Sequence, residues 1–460
     1  MNGCIIITIG GLMSRVFFLI IMGGALLNAQ TGAGFGEGMM GNTVNVPIGA
    51  TVIDGETYFT MRLQPELTFG KVGVGLDVPI MFNSGGKFRT DEYKGGIGFL
   101  RVIRYVRYGV KHEDPVYFRV GELTGTSLGY GLIMYNYTNS VSFDKRKIGL
   151  NIDLNYNKQF GIEGVYSDFN RASVIAFRPY YRPLATTDIP ILKTLEVGAS
   201  YATDRDQDAE YDIAAAGADL GVTVLQTSFL KVVPYLEYVR IGKASALSKD
   251  LSDAVVHPAE LDTSKYGVGQ GFAMGVNLDM NLVADVLTMG VKVERRFYSD
   301  NFIPQYFNAT YEVSKLNGTP AAYGLVNARA VQGTYGELMA NLIGKIQVIG
   351  GMSIPDKLKK TDGAVVHLGL AAPDLIPKVQ IIGTYDKAQL EHLGDAFKLD
   401  QRSVAHMIFA YEAYQTGPFV FNAGVDYKWT FIERKNSPGF KAVSYVMPFA
   451  AMQMKIPGMN

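Results

Sequence analysis

The sequence predicts an all-β protein, a transmembrane antiparallel β-barrel of roughly 16–20 strands, with about 18 preferred. Two observations predict it: apolar and polar residues alternate along the chain, and short turns alternate with long loops. In residues 419–429, for example, Phe421 and Val425 share one face of a strand, and Asn422 and Asp426 share the other. Because successive side chains of a strand point to opposite faces, such a strand has one apolar and one polar surface.

The same alternation recurs over much of the chain. In residues 148–156, Ile152 and Leu154 alternate with Asn151 and Asp153. Many strands with polar residues on the inner side are typical of a closed barrel whose outside meets lipid and whose inside meets water. About fifteen strands are expected from residue 147 onward, with others around residues 57–68, 71–82 and 116–123.

Connection length gives the second observation. Short connections are expected at residues 157–161, 226–229, 281–285 and 414–418, and long ones at residues 243–265, 299–334 and 386–401. Membrane-spanning barrels have short turns at the periplasmic end and long loops at the outer end, with an even number of strands. The apolar spacing of residues 92–108 fits either a short helix or a strand, so the sequence does not decide between them.

Composition narrows the function classes. The 460 residues include 43 basic and 43 acidic side chains, and this zero net charge gives no support to nucleic-acid binding. The 52 glycines and 27 tyrosines suit a large all-β protein. Cys4 is the only cysteine and lies in the expected export signal. No cofactor is expected, since the His/Cys spacing of a zinc site is not found.

The N-terminal residues 1–29 are expected to be a secretory signal peptide. Arg15 provides a basic start, residues 16–27 form an apolar core of 12 residues, and cleavage is expected before Gln30. A further apolar stretch upstream leaves open whether translation begins at Met13. The mature chain is then one barrel domain, residues 30–460, whose residues 30–42 are glycine-rich and expected to be flexible.

The export signal ending in Asn28-Ala29-Gln30, the alternating strands and the alternating loops resemble Gram-negative outer-membrane β-barrels of the porin-like kind. An Ala-Gln ending is similar to signals of the Bacteroidetes. The resemblance covers residues 30–460 and implies a place in the cell outer membrane, with lipid, lipopolysaccharide and the barrel-assembly machinery as partners. The chain departs from the usual pattern at its end, where Phe449 is the last aromatic residue.

The polar face of the strands supplies the candidate functional residues. They are expected to line a pore and carry both signs of charge, which argues against strong ion selectivity because rings of one sign select the other. The set is Asp153, Asn155, Glu196, Asn277, Asp279, Lys292, Glu294, Arg296, Glu337, Lys345, Asp426 and Lys428.

Two motifs suggest other kinds of functional site, a calcium site and a serine hydrolase site, with weaker support. The alternating carboxylates of residues 204–212 have oxygen ligands suited to calcium, but they lack the glycine and the final glutamate of an EF-hand, so a solvated loop is favoured. Residues 125–129 spell G-x-S-x-G around Ser127, with His112 or His406 as conceivable bases. That motif has meaning on the strand-turn-helix of an α/β sheet, which the surrounding pattern does not predict.

The leading functional hypothesis is therefore a channel for passive or weakly selective diffusion of small solutes, without enzymatic activity. One alternative is a barrel plugged by its own N-terminal segment that acts as a secretion or assembly partner or as a surface receptor. Another is a transporter of hydrophobic solutes. No nucleic-acid partner is expected, and the association of several copies stays open.

Overall fold

The computed structural model describes residues 43–53, 56–94, 98–140, 146–170, 173–205, 213–244, 268–283, 286–312, 325, 328–342, 346–357, 364–390, 393–396, 398–433 and 440–455. Within these ranges the chain forms 22 strands and four short 3-10 turns. None of the helices in the described ranges is long and apolar enough to cross a membrane.

The first strands are β1 Thr43–Ile53, β2 Glu56–Phe69, β3 Val72–Leu76, β4 Val78–Asn83, β5 Ile103–Tyr108, β6 Val116–Gly121, β7 Gly149–Tyr156, β8 Phe160–Tyr166, β9 Val174–Tyr181, β10 Glu196–Asp204 and β11 Ile213–Gly221. The others are β12 Leu225–Gln226, β13 Leu230–Lys243, β14 Gly269–Val283, β15 Leu287–Tyr298, β16 Val331–Leu342, β17 Ile346–Pro355, β18 Ala364–Ile376, β19 Val379–Leu390, β20 Ser403–Thr416, β21 Phe419–Glu433 and β22 Phe440–Lys455. The 3-10 turns are Asp91–Tyr93, Gly98–Val102, Leu192–Thr194 and Leu393–Asp395.

All these strands belong to one antiparallel sheet that closes on itself. Apart from two interruptions, strands that follow one another in the chain pair side by side, and β1 pairs with β22 from Gly49 opposite Phe449 to Thr43 opposite Lys455. Strands β3 and β4 both pair with β2, and β11 and β12 both pair with β13. Because each of these pairs is one interrupted strand, the 22 strands occupy 20 positions around the wall in the described ranges.

The two ends of the barrel differ in their connections. Strand β1 begins, and β22 ends, at the end where tight turns join β7 to β8, β18 to β19 and β20 to β21. The opposite end holds the longer connections, such as those after β6, β13 and β15. The expected alternation of short turns and long loops is therefore confirmed.

The wall has an apolar outside and a polar inside. In β2, Phe59 and Leu63 are 62% and 42% exposed, whereas the alternate residues Thr60 and Arg62 are 2% and 6% exposed. In β7, Leu154 is exposed while Asp153, its neighbour in sequence, is buried. Exposed apolar residues on the outer face suit contact with lipid, and the polar residues face the lumen.

The strand count exceeds the preferred value but stays within the predicted range. The fifteen wall positions from β7 to β22 agree with the expectation for residues 147 onward. The preceding part of the chain adds five positions rather than three, which accounts for 20 instead of 18. Residues 92–108 combine both expectations, because a 3-10 turn over Gly98–Val102 leads directly into β5.

A charged residue introduced on the outer face tests whether that face of the strands meets lipid. Val293 is 47% exposed in the middle of β15, so Val293→Arg places a guanidinium in lipid. We expect this change to lower the free energy of unfolding by about 2–4 kcal/mol. Urea unfolding of the protein in lipid vesicles measures the loss. Asn277→Lys, on the inner face of β14, is the matched control, and an equal loss there would contradict the assignment of the faces.

Candidate functional site

Residues 122–140, named the strap from here on, leave the wall after β6 and cross the inside of the barrel. The strap is irregular backbone, and Gly125, Gly129 and Gly131 have φ angles of 65°, 56° and 94°. This left-handed region favours glycine, because other residues meet a steric penalty from Cβ there. Leu128 and Leu132 are each 1% exposed, so the strap is enclosed by the wall.

Ion pairs hold the two ends of the strap together. Arg146, just after the strap, pairs with Glu122 at its start, with Nε and Oε2 3.1 Å apart. Arg146 also pairs with Asp77 at 2.5 Å, and Arg62 Nε donates to Asp77 Oδ1 at 3.0 Å. Asp77 occupies the interruption between β3 and β4. The strap is therefore fixed to the wall where it enters and where it leaves.

A second inward segment, residues 302–312 after β15, packs along the strap. Gln305 N donates to Leu132 O at 2.8 Å, and Tyr135 N donates to Phe307 O at 3.1 Å. Together with the inner faces of β8 to β15, the two segments form the largest apolar core in the described ranges. This half of the lumen is filled by protein.

Glu312 ties the second segment to the strap. Its carboxylate accepts a hydrogen bond from Tyr137 Oη at 2.5 Å and pairs with Lys147 Nζ at 2.6 Å. Burial, together with the adjacent charge of Glu312, holds the pKa of Tyr137 well above its ordinary value. The hydroxyl therefore keeps its proton and remains a donor.

The far side of the strap reaches the opposite wall through Tyr135 and Asn136. Tyr135 Oη donates to Glu337 on β16, and burial next to that carboxylate raises the pKa of Tyr135 well above its ordinary value. Asn136 Nδ2 donates to Asp386 Oδ1 on β19 at 2.6 Å and lies 2.9 Å from His367 Nδ1 on β18. We name Asn136, His367 and Asp386 the clasp.

Charged side chains on the inner wall beneath the strap neutralise one another. Arg178 pairs with Glu163 at 2.8 Å, Glu196 at 2.7 Å and Asp219 at 2.5 Å. Lys111 pairs with the other oxygen of Glu163 at 2.9 Å. Because buried charges are costly unless paired and hydrogen-bonded, this cluster must form as a unit.

Lys292 is one of the charged residues of the wall that contact the strap. Its Nζ lies 3.1 Å from Glu294, donates to the carbonyl oxygen of Tyr130, and lies 5.4 Å and 5.6 Å from the ring centroids of Tyr135 and Tyr235. The rings of Tyr130 and Tyr235 stack with centroids 3.9 Å apart. Cation–π and stacking contacts thus fix the strap to β13 and β15.

Below the strap, at the tight-turn end, lies a cavity of ≈ 1240 Å³, named the vestibule here. On the side of the strap, the vestibule is lined by Ser127, Gly129, Tyr130 and Tyr135. Charged residues on its walls include Lys111, Glu163, Arg178, Arg182, Lys193, Glu196, Lys231, Asp279, Lys292 and Glu337. A chamber lined by both signs of charge is suited to water and polar solutes rather than to apolar ones.

The structure distributes the predicted polar residues over several environments. Those that line the vestibule are Asn155, Glu196, Asn277, Asp279, Lys292 and Glu337. Three others, Asp153, Glu294 and Arg296, are at most 1% exposed. Asp153 accepts a hydrogen bond from His112 N, and Glu294 and Arg296 form an ion pair. Asp426 pairs with His406 and Lys428, away from the strap. Lys345 lies outside the described ranges. A role in lining a conducting pore stays a prediction for the whole set.

Sequence reasoning did not predict the strap or the clasp. A signal was present, because residues 128–137 are mostly apolar yet lack the period of two that a wall strand requires. The contacts of Asn136 with His367 and Asp386 join residues more than 200 positions apart, which no local pattern reveals.

The two motifs find little support. Ser127 lies in the strap, where its Oγ accepts a hydrogen bond from Asn136 N at 3.2 Å, and the described residues around it form no strand-turn-helix. Asp204 is buried and accepts a hydrogen bond from Tyr311 Oη at 2.7 Å. The rest of the acidic loop, residues 206–212, lies outside the described ranges. Those ranges contain no cluster of carboxylates, histidines or cysteines arranged for a metal.

The closed wall, its apolar outside and its polar inside define a membrane-spanning antiparallel β-barrel. Lipid cannot hydrogen-bond a strand edge, and a closed sheet leaves none exposed. The exposed apolar side chains of the outside accordingly suit contact with lipid, and a place in the outer membrane stays a prediction.

No family model and no curated protein matches the sequence. Solved structures that are similar to the chain include OccK2 of Pseudomonas aeruginosa in complex with glucuronate, at 11% identity and a TM-score of 0.31 over 90% of this chain and 97% of that one. A BenF-like porin of Pseudomonas fluorescens shows 10% identity and a TM-score of 0.31 over 90% and 97%. CdiB of Acinetobacter baumannii shows 9% identity and a TM-score of 0.25, over 90% of this chain and 59% of that one. Likenesses this weak carry no argument about solute or mechanism.

The ion cluster beneath the strap can be tested by removing its centre. Arg178→Met leaves three carboxylates without their shared cation, so we expect the free energy of unfolding to fall by about 3–5 kcal/mol. Arg182→Met is the control, because that side chain is 24% exposed and makes one ion pair, to Glu196, worth about 1 kcal/mol or less. Denaturant unfolding compares the two, and similar losses would show that the cluster does not act as a unit.

Proposed function

We propose that the protein is a channel for passive, weakly selective diffusion of small polar solutes across the outer membrane. The observation that carries the proposal is the strap, which divides the lumen and leaves a polar vestibule of ≈ 1240 Å³ on its periplasmic side. A wide barrel that is narrowed from within has the form of a pore with a constriction.

The solute path runs from the long-loop end, past Tyr135 and Asn136, into the vestibule. In this path the vestibule residues predicted from sequence line the pore, and the deeper ones such as Glu294 and Arg296 hold the wall in shape. The strap sets the width of the constriction, because it is attached at both ends and only its far side faces the opposite wall.

Weak charge selectivity follows from the pairing of charges around the vestibule. Arg178, Lys111 and Lys292 are each compensated by nearby carboxylates. Ion selectivity requires a net potential along the path, and paired charges of opposite sign provide little of it. The charged residues that line the vestibule favour polar solutes.

A plugged barrel is the second candidate, and the contact of the strap with the opposite wall favours it. In that case the chain would act as a secretion or assembly partner or as a receptor, and the lumen would not conduct. The proposed N-terminal plug, residues 30–42, lies outside the described ranges. Assembly by the barrel-assembly machinery and association of several copies stay predictions.

Single-channel recording in a planar bilayer tests the channel and its constriction. We expect Tyr135→Ala to raise the conductance severalfold, because it removes the ring that separates the vestibule from the outer side. Tyr411→Ala, on the lipid face of β20, is the matched control and should leave the conductance unchanged. If neither the natural protein nor Tyr135→Ala conducts, the channel proposal fails and the plugged barrel is favoured.

Ion selectivity can be measured as the reversal potential under a salt gradient. We expect a value near zero for the natural protein and a shift toward cations for Lys193→Glu, since Lys193 is exposed and lines the vestibule. Lys378→Glu is the control, because Lys378 lies on the turn between β18 and β19 at the same end of the barrel, outside the vestibule. Equal shifts for both variants would place the selective charge elsewhere.

A further inference from the structure

The clasp joins one residue of the strap to two residues of the opposite wall. His367 and Asp386 are direct partners in the register of β18 and β19, and His367 Nδ1 lies 2.5 Å from Asp386 Oδ1. Their side chains are 10% and 14% exposed. The wall therefore holds the Asp386 carboxylate in place by itself, because His367 Nδ1 donates to it, and the strap adds Asn136 as a second donor to the same oxygen.

Asn136 reaches the pair from a demanding backbone conformation. Its φ angle is 53°, in the left-handed region that asparagine tolerates better than most residues other than glycine. The side-chain amide places Nδ2 2.6 Å from Asp386 Oδ1. Residues held in such conformations cost free energy, which the surrounding contacts must offset. The contact with Asp386 is one of those that offset it.

Space for another group adjoins the clasp. A cavity of ≈ 20 Å³ lies against Asn136, His367 and Asp386, and Gln305 also lines it. Gln305 is 2% exposed, and its Nε2 has no hydrogen-bond partner within the described protein. The volume suffices for one water molecule or a group of similar size, and polar residues are among those that line the cavity.

We infer that the Asp386 carboxylate, held in place by His367, is a binding site for an N–H group of a passing solute, a site that Asn136 occupies when no such solute is present. The inference rests on the proposed channel function and adds a class of solute to it: small polar molecules that carry an ammonium or a primary amide group. Replacement of the Asn136 amide by the solute removes the contact of the strap with β18 and β19, leaves Tyr135 as its attachment to β16, and widens the path on the side of β19.

The chemistry of the pair favours such solutes. A carboxylate is an acceptor, and Asn136 satisfies it with a neutral N–H donor. An ammonium group makes the stronger hydrogen bond, because it adds the attraction of a full positive charge to the carboxylate. The competing asparagine is tethered, however, so its effective concentration is on the order of millimolar and free solutes must exceed that level.

Matched pairs of probes separate N–H donation from size and charge. Methylammonium and tetramethylammonium are both monovalent cations, but only the first donates N–H. Acetamide and N,N-dimethylacetamide are both neutral amides, and again only the first donates. In single-channel recordings of the full chain, we expect methylammonium and acetamide to increase the time spent at the open level severalfold. The N-methylated partners should have no such effect.

Three variants complete the test. Asn136→Ala removes the occupant, so it should stay open without any probe and respond no further to methylammonium. Asp386→Asn removes the acceptor charge, so it should also open and lose its preference for methylammonium over acetamide. Asn422→Ala removes an inner-wall asparagine on β21 that lies outside the clasp, and it should behave like the natural protein. Circular dichroism and resistance to protease confirm that each variant is folded.

The outcomes distinguish the inference from the function on which it rests. Equal effects of the N–H donors and their N-methylated partners would overturn the inference and leave the channel intact. The same holds if Asn136→Ala opens the pore but no probe affects the natural protein. Silence of a folded Asn136→Ala and a folded Tyr135→Ala in every solution would overturn the channel itself.

Discussion

The rest of the structure depends on one constraint: strand backbone in lipid must be hydrogen-bonded without help from water. Pairing of β1 with β22 satisfies it by closing the wall. Closure then divides every strand into an outer apolar face and an inner polar face. Because 20 wall positions enclose a lumen too wide for side chains alone to fill, other parts of the chain determine what the interior contains.

The strap and the second inward segment fill part of this lumen. They cover residues of the inner face, which are therefore buried instead of exposed to water. Residues such as Glu163 and Arg178 sit on a wall that water would otherwise reach, yet they are 1% and 3% exposed. Charges in such an environment must be paired, and they are. The same segments leave the vestibule at the tight-turn end, so they both fill half of the barrel and shape the vestibule.

Contacts on the two sides of the strap differ in character. Toward β8–β15 it packs through apolar side chains in a continuous core, whereas toward β16–β19 it makes polar contacts through Tyr135 and Asn136. Apolar packing is lost only when a whole surface is exposed, but a few hydrogen bonds can exchange with water or solute at little net cost. This asymmetry makes the far side of the strap the part suited to movement.

The sequence by itself determined the wall. A period of two in runs such as residues 148–156 depends only on neighbouring residues, so the faces, the turns and the mixed charge of the inner side were predictable. The same reasoning located Asn155 and Lys292 on the inner face, both of which line the vestibule. Only the tertiary structure decided that the strap folds inward, that Arg296 is buried, and that Asn136 meets Asp386. Those outcomes depend on side chains far apart in the chain, which meet only after the barrel has closed.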